Sequence, residues 1–153
     1  MSPRLLILLV AFALPACGGD SEKLAPASAP RAASNDHVTV DHILIGVQTA
    51  EKPSMRRNEA DARAFAYELI AQLRAGGDWD EAKRLNSEDP PPGGPYSLAN
   101  RGVRLQSQDE FGREGMVPGF SDVAFSLAVG GMGMADYNAR TSPFGYHIIK
   151  RIK

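Results

Sequence analysis

Two short apolar runs, one near each end of the part of the chain that can fold, each carry a histidine where a strand interior is expected. The first is Asp41-His42-Ile43-Leu44-Ile45, inside a β-branched and apolar stretch over 38–47. The second is Tyr146-His147-Ile148-Ile149-Lys150, close to the C-terminus. Period-two alternation puts Tyr146 and Ile148 on one face and His147 and Ile149 on the other, and groups His42 with Val38, Val40 and Leu44. An imidazole buried without a partner costs free energy, so each histidine calls for a neighbour. If the two strands pair, both histidines meet beneath one site.

The residues between them spell out an ordered set of elements. A polar loop over 48–57 contains Pro53, and a helix begins at about Asn58, which caps it, with Asp61 three residues on. Ala62, Phe65, Ala66, Leu69, Ile70 and Leu73 recur at helical spacing and Gly76-Gly77 stops the run. Asp78 and Glu81 approximate a capping box for a second helix whose apolar side is Trp79, Ala82 and Leu85. Trp79 reads as a core anchor. The segment 86–96, with Pro90-Pro91-Pro92 and Gly93-Gly94, suits neither helix nor central strand and is a loop. A short strand or irregular edge follows over 97–105. Pro118 opens a third helix bearing Phe120, Val123, Ala124 and Leu127, which Gly130-Gly131 ends. Residues 132–137 read as a strand that turns at 138–143 into the last one. This order is α+β, and the short final connection implies antiparallel pairing.

The N-terminus has a different character. Arg4 precedes the apolar run 5–14, too short for a bilayer span of about 20 residues but suited to a secretory leader. It ends at Leu14-Pro15-Ala16-Cys17, which is similar to a lipoprotein lipobox with Cys17 as the lipidated residue. Cleavage after Ala16 without lipidation, or an incidental Cys17 thiol, are the alternatives. Cys17 is the chain's one cysteine, so no intramolecular disulfide forms. These readings divide the chain into a leader (1–17), a Gly, Ser, Ala and Pro-rich tether (18–37) and a domain (38–153). Seventeen basic against 18 acidic residues give no electrostatic case for a nucleic-acid partner.

Over nearly the whole domain the chain resembles the parvulins, a family of peptidyl-prolyl isomerases. Four pieces carry the resemblance: His42-Ile43-Leu44; Ser87-Glu88-Asp89; Met116-Val117-Pro118-Gly119-Phe120 with Ala124-Phe125-Ser126-Leu127; and Phe144-Gly145-Tyr146-His147-Ile148-Ile149-Lys150. Parvulins usually continue Gly-Gly with Asp-Leu-Gly, whereas Gly93-Gly94 continues with Pro95-Tyr96-Ser97 and leaves Tyr96 as the apolar residue there. Ser142 stands where the family tends to carry threonine, and Thr141 lies one residue earlier. The resemblance implies a parvulin-like (FKBP-like) α+β fold, an antiparallel sheet of about four strands flanked by about four helices.

It also implies a chemistry that needs neither cofactor nor metal, because rotation about an X-Pro bond makes and breaks no covalent bond. The barrier of about 18–20 kcal/mol is the loss of amide resonance. Met116 and Phe120, with Tyr96 or Phe125, would hold the proline ring, and Asp89 would place negative charge or an acceptor near the peptide carbonyl. His42, His147 and Ser142 or Thr141 would form a hydrogen-bonded network that fixes the site. Each residue has a plainer role open to it: Met116 and Phe120 as core, Asp89 as a turn residue before Pro90, the histidines as a link between strands. His37 and His42 lie five apart, on opposite faces of a regular strand, which does not favour a metal site. Lys52, Arg56 and Arg57 occupy the loop where phosphate-selective parvulins carry basic residues, and they either favour an acidic residue before the proline or are an ordinary solvated loop. The expected partners are proline-containing unfolded or nascent exported polypeptides, with a lipid-anchored monomer facing the periplasm or cell exterior. The alternatives are a parvulin-fold chaperone or peptide-binding module without turnover, and a structural lipoprotein of the envelope.

Overall fold

The computed structural model of the protein describes residues 35–91 and 93–153. The leader, Cys17 and most of the tether lie outside the described residues. The last of the 18–37 stretch does not: β1 already begins at His37, and Asn35 is bonded into the domain. Its amide donates to the Phe125 carbonyl at 3.1 Å, and its carbonyl oxygen accepts from Arg151 at 2.8 Å.

Among the described residues, five strands form one sheet: β1 (His37–Gly46), β2 (Tyr96–Ala99), β3 (Glu110–Gly112), β4 (Met132–Ala135) and β5 (Gly145–Arg151). Their spatial order is β3-β2-β1-β5-β4. The first and last long strands are therefore neighbours at the centre, antiparallel, with Leu44 opposite His147 and His42 opposite Ile149. β4 pairs antiparallel with β5, and β2 antiparallel with β1. The departure from an all-antiparallel sheet is β3, which runs parallel to β2. Its three residues show no alternation in the sequence, and their pairing depends on a strand reached only after the 100–109 connection.

Among the described residues, three α-helices cover the sheet from both sides. α1 (Glu59–Arg74) starts where Asn58 accepts from the Asp61 amide at 2.9 Å, and α2 (Trp79–Asn86) where Asp78 accepts from the Glu81 amide at 2.9 Å. Each cap satisfies an amide that the first turn leaves unpaired. Both helices pack on Ile43, Ile45, Tyr146 and Ile148 through Ala62, Ala66, Leu69, Ile70, Leu73 and Trp79. α3 (Pro118–Ser126) lies on the opposite face, where Phe120, Ala124 and Phe125 meet Val38, Val40, Leu98 and Ile149. Fully burying one such side chain contributes roughly 1.5–3 kcal/mol, so both half-cores matter.

The helices also differ in detail from the reading of the sequence. Leu85 is 52% exposed and does not continue the buried side of α2. α3 ends at Ser126, before Gly130-Gly131, because Leu127 already has an extended backbone. At the start of β5, Gly145 has φ +153° and a side chain there would run into the Ile45 carbonyl oxygen. Only glycine allows β5 to begin this close to β1.

Candidate active site

The register of β1 and β5 places His42 and His147 diagonally across one face of the sheet, the face covered by α3. Their ring centroids are 5.5 Å apart. Phe120 stands edge-on over both, at 5.2 Å from His42 and 5.5 Å from His147. Tyr96, from the start of β2, stacks on His42 at 5.5 Å. These rings floor a pocket of about 200 Å³ walled by Met116, Val117 and Phe144, with Asp89 at its edge. At about 30 Å³ per water this holds only a handful of solvent molecules, well below the roughly 300 Å³ at which drug-sized sites begin. It suits one small ring.

Asp89 is brought in by the loop after α2. Glu88 N–H donates to the Leu44 carbonyl at 2.8 Å, and Ser87 Oγ accepts from Leu44 N–H at 3.2 Å, so this loop is pinned along β1. Asp89 Oδ2 then lies 3.5 Å from His42 Nε2 and accepts from the Tyr96 hydroxyl at 3.3 Å. Burial, together with the Asp89 charge, holds the Tyr96 phenol above its ordinary value, which keeps its hydroxyl a donor.

Both imidazoles favour the neutral form. Burial, with the neighbouring His42 as a lesser cause, pushes His147 down to about 3. Burial also lowers His42, against the opposing pull of Asp89. His42 Nδ1 and both ring nitrogens of His147 have no hydrogen-bond partner among the described residues. The expected network linking the histidines to Ser142 or Thr141 is therefore absent from the geometry, and the rings meet by aromatic contact. Ser142 Oγ donates instead to the Gly145 carbonyl at 2.9 Å. Thr141 is exposed and contributes its carbonyl, which accepts from Gly119 N–H at 2.7 Å. These two residues fix the start of α3 against the turn before β5. A side chain at Gly119 would stand 2.9 Å from that carbonyl, so the close approach requires glycine.

Met116 lines the pocket, but not from the helix. It follows a single 3-10 turn (Arg113–Gly115) in extended conformation, two residues before α3 begins. Phe125 does not line the pocket. Five residues after Phe120, it is rotated about 140° around the helix and packs into the half-core, with the Arg113 guanidinium 4.8 Å from its ring. That angular offset is legible in the sequence. Val117 and Phe144 line the pocket and were not anticipated; for Phe144 the signal is a large aromatic just before the glycine that opens β5.

Arg56 and Arg57 turn away from the pocket and towards Glu88, Arg57 Nη1 reaching its carboxylate at 3.0 Å. A larger groove of about 460 Å³ lies elsewhere, between β1, β2 and the segment before β3. His37, Thr39, Ser97 and Glu110 line it, and Glu110 is already engaged by His37 at 2.7 Å and by the Gln106 amide at 2.6 Å. It lacks an aromatic floor for a proline ring. Among the described residues no three His, Cys, Asp or Glu side chains cluster as a metal ion would need, and no helix is long and apolar enough to cross a membrane.

The family profile described as a PPIC-type PPIase domain matches residues 24–152. No curated protein matches the sequence. Among solved structures, the chain is similar to the peptidyl-prolyl isomerase ESS1 from Candida albicans, with 21% identity and a TM-score of 0.50. That likeness covers 78% of this chain and 64% of the other, and is one of fold.

Proposed function

The chain belongs to the PPIC-type PPIase family, the parvulins, and from that membership we propose that it catalyses cis/trans isomerisation of X-Pro bonds in unfolded polypeptides. The observation that carries the proposal is the small apolar pocket of Phe120, Met116 and Val117, set on two neutral imidazoles with one carboxylate at its edge. A proline ring seated there draws its preceding amide into the apolar pocket, with Asp89 beside it. The planar amide is the more charge-separated form, and an apolar enclosure solvates it less well than water does. The twisted form loses less on entering, so the pocket lowers the rotation barrier by differential binding. With His147 neutral down to about pH 3, it moves no proton at neutral pH and serves as a rigid aromatic floor.

The expected clients are newly exported chains. The apolar run 5–14 and Cys17 support export and lipid anchoring, which would hold the domain at a membrane surface. Electrophoretic mobility of the full chain before and after a Cys17→Ser change, with radiolabelled palmitate, tests the anchor; label retained in the variant would exclude it.

A second reading is a chaperone or peptide-binding module with little turnover. It is favoured by one contact, the Tyr96 hydroxyl on Asp89, which occupies the acceptor nearest the pocket. Exchange spectroscopy on short X-Pro peptides with substoichiometric full chain separates the two. Catalysis accelerates exchange at a few per cent of enzyme, while a binder only shifts populations in proportion to its concentration. Absence of acceleration with intact peptide binding would replace the first reading by the second.

A further inference from the structure

The loop 48–57 flanks the Phe144 wall of the pocket, because Lys52 lies over the Phe144 ring at 5.2 Å and donates to the Pro143 carbonyl at 2.7 Å. It also carries Arg57, whose guanidinium is already engaged, and Arg56, whose side chain is 51% exposed beside the same carboxylate. The Glu88 side chain is only 7% exposed, and its carboxylate accepts from Arg57 Nη1 at 3.0 Å and from the Arg56 amide at 2.9 Å. Arg56 Nε stands 3.7 Å from the same carboxylate, and its Nη2 reaches the Asn86 carbonyl at 3.5 Å. The Arg57 guanidinium lies over the Phe65 ring of α1 at 4.1 Å, which turns it towards the body of the domain. Glu88 and Asp89 are adjacent in the chain yet serve opposite directions, one holding the arginines and the other facing His42.

We propose that Glu88 is a specificity-determining residue: by holding the Arg57 guanidinium internally and setting its own negative charge beside the exposed Arg56, it weakens the loop's pull on an anionic group and directs the site to X-Pro segments whose preceding residue is uncharged. This rests on the isomerase reading. An acidic or phosphorylated side chain before the proline would gain Arg57 only by displacing Glu88 and leaving a nearly buried carboxylate without that partner, and would meet Arg56 only in competition with the same carboxylate. It would also approach Asp89, a like charge at the pocket edge. Phe144, 42% exposed on the pocket wall, offers a ring contact instead, and the Lys52 ammonium beside it is tied to the Pro143 carbonyl.

The test compares the full chain with Arg56→Ala/Arg57→Ala, Glu88→Gln and the triple variant, by exchange spectroscopy on four peptides centred on Ala-Pro, Phe-Pro, Glu-Pro and phosphoserine-Pro. The wild-type chain is expected to act on the two anionic peptides no faster than on Ala-Pro, and Arg56→Ala/Arg57→Ala is expected to leave that ratio unchanged. Glu88→Gln is expected to raise the phosphoserine-to-alanine ratio about fivefold, a gain the triple variant loses. A folded Glu88→Gln chain with an unchanged ratio overturns the proposal. Should that variant not fold, the arginine pair decides: a fall in the anionic-to-neutral ratio in Arg56→Ala/Arg57→Ala shows that the arginines already serve substrate and also overturns it. If the wild-type chain accelerates no peptide, the isomerase reading fails, and peptide dissociation constants from shift titrations replace rates in the same comparison.

Discussion

Asp89 holds two relations at once: its carboxylate lies 3.5 Å from a buried, neutral imidazole and accepts from a phenol, while one side of it faces the pocket. If its charge acts on the substrate amide, Asp89→Asn, which keeps shape but not charge, should lower kcat/KM about tenfold, roughly 1.4 kcal/mol of transition-state stabilisation. Tyr96→Phe removes the hydroxyl from Asp89 and keeps the ring on His42. It should raise turnover if that hydroxyl holds back the carboxylate, and change little if the carboxylate acts only to orient His42. Equal losses in Asp89→Asn and Tyr96→Phe, measured on one Ala-Pro peptide, would mean the hydrogen bond itself matters rather than the charge. Met116→Ala is the cleaner probe of ring binding, because Met116 is only partly buried, whereas truncating Phe120 costs about 3–5 kcal/mol of stability as well. It should raise KM several-fold with the fold intact by circular dichroism.

At the scale of elements, the site depends on β5 starting beside the end of β1. Gly145→Ala should destabilise the domain by several kcal/mol, since the new methyl meets the Ile45 carbonyl, and a chemical denaturation curve reads the loss. Asn58→Ala, by contrast, removes only the α1 cap and should cost about 1 kcal/mol without altering activity. The contrast explains what the sequence made legible. Caps, helical spacing and alternation are local, so α1, α2, β1 and β5 could be read directly, and the two histidines fell on one face as alternation required. β3 could not be read, because three residues with no pattern acquire strand geometry only from a distant parallel partner. Likewise Met116 reaches the pocket through a 3-10 turn rather than a helix, and Glu88 finds its arginines across 31 and 32 residues of sequence, contacts no local pattern encodes.

In the whole molecule, a single sheet carries two half-cores, and the histidines sit between the sheet and α3 at the centre of one of them. Burial that suits them to floor the pocket also links folding to pH. In the unfolded chain His147 titrates near its ordinary value of 6.5, and in the folded chain only at about 3. Below 6.5 the unfolded state binds the extra proton, so the stability tied to a neutral His147 is complete above 6.5 and declines as pH falls towards 3. His42 is depressed in the same direction. Each fully linked imidazole removes at most about 1.4 kcal/mol per pH unit. Asp41 adds a later loss. Burial would raise its pKa, but hydrogen bonds from Lys83, Trp79 and the His42 amide outweigh that and lower it, so its contribution is present above its ordinary 3.8 and disappears as pH falls below it. Urea unfolding free energies should therefore be flat from pH 8 to 7 and fall from pH 6 to 4, while kcat/KM stays level from pH 7 to 9. His147→Phe, which keeps a ring in the site but cannot titrate, should flatten the slope between pH 6 and 4 by up to that single-imidazole amount. An unchanged slope in a folded His147→Phe chain would place the linkage on His42 alone, and a rate that tracked the histidine range above pH 7 would contradict a site that transfers no proton.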